Sequence, residues 1–151
     1  VGGSLPTEAQ WEYACRGDKG TAPFGVGTDG YKLDYTLGNF NWNYSWSWDG
    51  SSATANIGTT GTGYPGTTQR VGSYAANSYG LYDMHGNVWE WCSDWYDKDY
   101  YSTPPSDDPT GRVFRGGSWG SRAQNCRSAI RNDKYPNYAG IDLGFRVVFV
   151  P

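Results

Sequence analysis

The sequence predicts an α+β fold, rich in loops, with small antiparallel sheets and few helices. Three observations carry that prediction. Glycine makes up 22 of 151 residues, about twice its usual share of roughly 7%. It is accompanied by 8 Trp and 13 Tyr, so large rings must fill the space between irregular segments. Helix start and stop signals coincide only near the amino end, whereas strand-like apolar runs recur after Gln69. Scarce Lys and Glu beside abundant Asn and Asp argue further against a helical protein.

Taken in order, the first element is a helix. Thr7 stands three residues before Gln10, a capping-box spacing. Glu8 lies where the helix dipole favours negative charge, and Gly17 supplies a stop. The helix should run from about Thr7 to Arg16, burying Ala9, Tyr13 and either Trp11 or Ala14. From 17 to 68 no period of 3.6 or 2 persists, which predicts long ordered loops. A stretch of that length needs anchors. The rings of Trp42, Trp46 and Trp48, together with a bound metal ion, are natural ones. Disorder is the rival reading, and the density of rings weighs against it.

Strands follow. In Val88-Trp89-Glu90-Trp91-Cys92 the two Trp fall on one face and Val88, Glu90 and Cys92 on the other. Arg112 to Arg115 reads as a second strand and Phe145 to Val150 as a third. The near-continuous apolarity of the third marks a central strand buried on both faces, which would also tie down the chain end. No internal repeat or charge block interrupts the pattern.

The length suits one domain, 1–151, with a core of useful size. A formal charge of -3 gives no electrostatic footprint for nucleic acid. Cys15, Cys92 and Cys126 cannot all pair with one another, and without Cys-x-x-Cys they do not read as a structural zinc site. Cys15 and Cys92 read as small buried hydrophobes. No apolar run approaches the ~20 residues of a membrane span, and no signal peptide is visible. The chain begins abruptly at Val1, as if a segment preceded it. Localisation stays open, and a cell surface or a virion would suit it.

Four motifs now stand out in order: Leu5-Pro6-Thr7-Glu8-Ala9-Gln10-Trp11-Glu12-Tyr13-Ala14, the run from Tyr79-Gly80-Leu81-Tyr82-Asp83 to Trp91, Arg115-Gly116-Gly117-Ser118-Trp119, and Gly144-Phe145-Arg146. Together they closely resemble the formylglycine-generating-enzyme-type (sulfatase-modifying factor) domain. That resemblance implies a variant of the C-type lectin fold. It spans 5–148 and covers the later part of the usual domain.

Asp83, Gly86, Val88 and Glu90 occupy positions that resemble a calcium site of that family. Calcium takes six to eight hard oxygens, and a tight Gly turn lets carbonyls converge beside carboxylates. The other reading is a turn closed by Asp83 hydrogen bonds, with Glu90 paired to an Arg. A second family site would use Asn39 and the Phe40 carbonyl, but Thr62 stands where an acid is expected. His85, the one histidine, reads as a surface or capping residue. A lone histidine builds neither a relay nor the three-histidine iron site of the sulfoxide-synthase relatives.

The oxidase members need two cysteines after the Arg-Gly-Gly-Ser-aromatic run. Counting forward, the first falls on Ser121, which supplies no thiolate, and the second on Cys126. Counting back from Arg131, three residues are missing. The resemblance therefore points to an inactive relative.

The same stretch also resembles the variable region, about 119–143, of diversity-generating-retroelement target proteins. There, adenine mutagenesis of asparagine codons changes surface residues on this scaffold. The matching positions are Gly120, Ser121, Arg122, Ile130, Asp133, Lys134, Tyr135, Tyr138, Gly140, Ile141 and Asp142. All are reachable by changing adenines except Lys134, whose codon differs at the third base. In this scheme Ala123, Cys126, Ala129 and Phe145 pack inward, Arg127, Arg131 and Arg146 bond loop carbonyls, and the mixed residues face outward. Tyr and Arg are residue types that dominate binding energy at interfaces.

The expected function is a non-enzymatic binding protein that meets a protein or other surface ligand through its variable face. The alternatives are a formylglycine-generating oxidase or sulfoxide-synthase-like enzyme domain, and an interaction domain of a larger regulatory protein such as a kinase fusion. The sequence says nothing of oligomeric state.

Overall fold

The computed structural model describes residues 2–43, 63–98 and 111–149. Trp46, Trp48 and Thr62 lie outside them. Among the described residues there is one α-helix, α1 (Glu8–Arg16), and four strands: β1 (Trp89–Trp95), β2 (Arg112–Arg115), β3 (Asn132–Lys134) and β4 (Leu143–Gly144). A 3-10 turn spans Ala123–Cys126.

The helix begins as its cap dictates. Thr7 Oγ1 accepts from Gln10 N at 3.1 Å, and Thr7 N donates to Gln10 Oε1 at 2.8 Å. It stops at Gly17, whose φ of 55° suits glycine. Its buried face differs from the expected one. Glu8, Trp11 and Cys15 are buried, while Ala9 and Tyr13 face solvent and Ala14 is half-buried. The reason is electrostatic: two arginines draw the Glu8 carboxylate inward. Arg131 grips it through Nε at 2.6 Å and Nη2 at 2.7 Å, and Arg115 Nη1 lies 3.3 Å away.

The strands form one mixed sheet in the order β3-β2-β1-β4. β1–β2 and β2–β3 are antiparallel, and β1–β4 is parallel. Trp91 pairs with Phe114, Phe114 with Asn132, and Trp89 with Leu143. Because side chains alternate, Trp89, Trp91, Phe114, Asn132, Lys134 and Leu143 share one outer face. The rings confirm it, with Trp89 and Trp91 meeting Phe114 edge-on at 5.0 and 5.6 Å between centroids. Glu90, Cys92, Val113 and Arg115 take the inner face, against α1.

The expectation of a central third strand over 145–150 fails. Only Leu143–Gly144 pairs with β1, at the sheet's edge. Beyond it the chain returns to a single bridge, Ser4 with Val148. Phe145, Val147 and Phe149 are exposed while their alternates are half-buried. The run is apolar on a one-sided segment, which continuity of composition cannot distinguish from two-sided burial.

Two apolar clusters make the core. One gathers Phe24, Val26, Leu33, Phe40, Trp42, Ala123 and Cys126, so Trp42 does anchor the long loop. The other gathers Trp11, Cys15, Met84, Cys92 and Val113 around the inner face of the sheet. His85 joins them. It is 1% exposed, a correction to its reading as a surface or capping residue. Its Nδ1–H donates to the Cys126 carbonyl at 2.8 Å, and its Nε2 accepts from Gly25 N at 2.8 Å. Two backbone partners of opposite polarity fix one neutral tautomer.

Candidate functional site

Three residues of the 119–143 segment, Asn132, Lys134 and Leu143, stand on the outer face of the sheet, while its 3-10 turn packs Ala123 and Cys126 into the core. Main-chain bonds hold much of that segment, beside the side-chain bonds of Ser121 and Asp142 to Ser118. Trp119 N donates to Asn87 O at 2.9 Å, Asn41 N to Ser121 O at 2.8 Å, and Trp89 N to Asp142 O at 2.8 Å. Tyr138 N donates to Tyr135 O at 2.9 Å and closes the turn after β3. Scaffold side chains add to the frame. Arg115 is fully buried and donates to the carbonyls of Ile130 at 2.8 Å and Ser128 at 2.9 Å, and it also pairs with Glu12.

Each predicted binding residue can now be placed. Gly120, Arg122, Lys134, Tyr135, Tyr138 and Ile141 are exposed, and Ser121, Ile130, Asp133, Gly140 and Asp142 are half-buried. Lys134, Tyr138 and Asp142 come together: with Trp89, Phe114 and Leu143 they line a cavity of about 210 Å³. Lys134 Nζ stands 5.4 Å from the Tyr138 ring centroid. Asp133 does not join them, since alternation along β3 turns it toward the opposite face. Ser121 and Asp142 are both tied to Ser118, whose Oγ donates to Asp142 Oδ2 at 2.9 Å and lies 3.1 Å from Ser121 Oγ.

The packing scheme holds in part. Ala123 and Cys126 are buried, but Ala129 and Phe145 are exposed. Arg127 bonds the Gln124 carbonyl as expected. Arg131 and Arg146 reach carbonyls too, of Asp97 and Tyr82, yet each spends most of its fork on a carboxylate. Sequence reasoning missed Ser118 and the apolar floor of Trp89, Phe114 and Leu143. Only strand register reveals the floor, because its members are distant in the chain.

The cysteines are poorly placed for thiolate chemistry. All three are free and buried. Burial pushes Cys15 up to about 12 and Cys126 well above the usual thiol range. Cys126 Sγ is turned inward, 3.6 Å from the Arg122 carbonyl, and Ser121 offers only a hydroxyl. Burial also drives His85 down to about 4, against a smaller upward pull from its bond to Cys126.

The calcium positions carry a different arrangement. Arg146 takes both oxygens of Glu90, at 2.6 Å each, and Trp11 Nε1 donates to Oε2 at 2.6 Å. Asp83 Oδ2 accepts from Gly72 N at 2.7 Å. A guanidinium thus occupies the carboxylate that the resemblance assigns to calcium, and Asp83 closes a turn, which is the arrangement of the other reading. No group of three or more His, Cys, Asp or Glu that could hold a metal occurs among the described residues. At the second position, Asn39 is buried and its Oδ1 has no partner among the described residues.

Comparison with known proteins agrees with this architecture. The family described as "Sulfatase-modifying factor enzyme 1-like domain" matches residues 1–150. The formylglycine-generating enzyme of Streptomyces coelicolor is 38% identical over 160 residues, covering 97% of this chain and 46% of that protein. The serine/threonine-protein kinase pkn1 of Chlamydia caviae is 36% identical, covering 97% of this chain and 21% of the kinase. Among solved structures, Treponema denticola variable protein 1 superposes with a TM-score of 0.68 at 34% identity, over 97% of this chain and 47% of that one. PvdO from Pseudomonas aeruginosa superposes with a TM-score of 0.67 at 32% identity, over 96% of this chain and 51% of that one. The chain spans about half the length of the formylglycine-generating enzyme it matches.

Proposed function

The chain belongs to the family of sulfatase-modifying factor enzyme 1-like domains, and within that family we propose that it is a non-enzymatic binding protein. It presents diversified surface residues on a C-type-lectin-type frame and meets a protein or other surface ligand with the face that 120–142 builds. One observation carries the reading: main-chain and scaffold bonds hold the segment while none of its eleven named residues is buried. Likeness to a variable protein supports it. So does the pairing of Ser121 with an inward, protonated Cys126, since copper(I) or substrate capture needs accessible thiolate.

Replacing Tyr135 and Tyr138 with Ala tests the proposal. Binding to a surface ligand is lost while the melting temperature stays nearly unchanged; a large fall in melting temperature would make the two rings core residues instead. The class can also be tested in the DNA. A near-copy of the 119–145 coding stretch, differing at adenines and accompanied by a reverse transcriptase, belongs to this account.

A second reading is favoured by the relatives named formylglycine-generating enzyme. Incubation with copper(I) and a Cys-bearing peptide decides it, and aldehyde formation would make the chain an oxidase. A third, an interaction domain within a larger regulatory chain, draws on the likeness to the kinase. The length of the intact gene tests that one.

A further inference from the structure

We propose that the cavity over the outer sheet face is an anchor pocket for one aromatic side chain of a partner protein, a Tyr above all. The inference rests on the binding-protein reading and names what the site takes. The floor belongs to the frame: Trp89 and Phe114 are 8% and 6% exposed, they stand edge-to-face at 5.0 Å, and Leu143 is fixed beside them by its pairing with Trp89. The rim combines the displayed residues Lys134, Tyr138 and Asp142 with Asn132 of β3.

Three features select the occupant. At about 210 Å³ the hollow holds a single large side chain and no drug-sized molecule, whose pockets run from about 300 to 1,000 Å³. An edge-to-face ring pair offers an incoming ring the offset geometry aromatic groups prefer. At the rim, Asp142 is a half-buried carboxylate whose Oδ2 takes one hydrogen bond from Ser118. A carboxylate has about four acceptor sites, so capacity remains for a donor at the tip of the guest. A Tyr fits ring-down with its hydroxyl donating to Asp142.

A fixed floor with an exchangeable rim also divides the work of recognition. The floor gives affinity for rings in general, and residues 134, 138 and 142 choose among them. A buried aromatic anchor surrounded by near-neutral contacts is the usual form of an interface hot spot.

The test uses the intact isotope-labelled protein and three probes: N-acetyl-tyrosinamide, N-acetyl-phenylalaninamide and N-acetyl-leucinamide. Chemical-shift changes are followed at the Leu143 methyls and the Asp142 amide. The tyrosine probe should shift both at the lowest concentration, and the leucine probe should need roughly three to ten times more. In Asp142→Asn the tyrosine probe should lose its advantage over the phenylalanine probe while both still reach Leu143. Equal responses to all three probes, or shifts confined to other surfaces, would overturn the pocket. Failure of the underlying binding-protein reading shows separately, as aldehyde formation from the Cys peptide, and leaves the probe result standing.

Discussion

At the scale of single residues, the chemistry here is mostly structural, and His85 shows how. Its neutral ring joins the Gly25 loop to the Cys126 carbonyl, with Cys15 Sγ 3.6 Å from Nε2 and Ser128 beyond that thiol. Protonation would remove the acceptor that Gly25 N uses. Burial lowers the pKa from 6.5 to about 4 in the folded state, so between those values the unfolded chain holds more protons. Stability is therefore fully present above pH 6.5 and is lost as pH falls toward 4. Urea unfolding should show a loss of about 2 kcal/mol from this group between pH 7 and pH 5. In His85→Gln that slope should flatten. An unchanged slope in the variant would remove His85 from the account. Arg115 is the second such residue. It sits at 0% exposure between Glu8 and Glu12, and truncating a buried pair leaves uncompensated charge. Arg115→Ala should cost about 3–5 kcal/mol in denaturant unfolding; a cost below about 1 kcal/mol would mean that the pair is not buried. Neither role was legible beforehand, because a lone His in a Gly turn and a Glu in a first helical turn look like surface residues until their partners, 41 to 123 positions away, are known.

At the scale of elements, legibility follows how local the determinant is. The Thr7–Gln10 box and the Gly17 stop lie within one helical turn of the bonds they make, and both were readable. Arg112–Arg115 was readable to the residue, as was the division of faces in β1. The 145–150 run was misread because solvent exposure of Phe145, Val147 and Phe149 is decided by what the fold leaves uncovered, and no window of sequence contains that. The turn after β2 offers a sharp test at this scale. Gly117 has φ of 76°, and a Cβ there would come within 2.4 Å of Cys126 Sγ. Gly117→Ala combines left-handed strain with overlap in a packed cluster, about 2–4 kcal/mol together. Urea unfolding of Gly117→Ala measures it, and a neutral result would mean that the Arg115–Trp119 motif is not packed on the 3-10 turn.

At the scale of the whole molecule, the two faces of the mixed sheet differ in character. Its inner face is charged, ring-filled and packed against α1; its outer face is aromatic and carries Asn132, Lys134 and Leu143. The resemblance read in the sequence anticipated the fold, and the eleven positions it named are exposed or half-buried. It could not anticipate that Lys134, Tyr138 and Asp142 meet above Trp89 and Phe114, since that meeting is a product of strand register across four strands. The central claim is that the frame is indifferent to the side chains it shows. The most direct measurement is denaturant unfolding of a variant in which Lys134, Tyr135, Tyr138 and Ile141 are all replaced by Ser. All four are exposed, so the unfolding free energy should stay within about 1 kcal/mol of the parent with an unchanged cooperative transition. A loss of more than about 3 kcal/mol, or a broadened transition, would contradict the account.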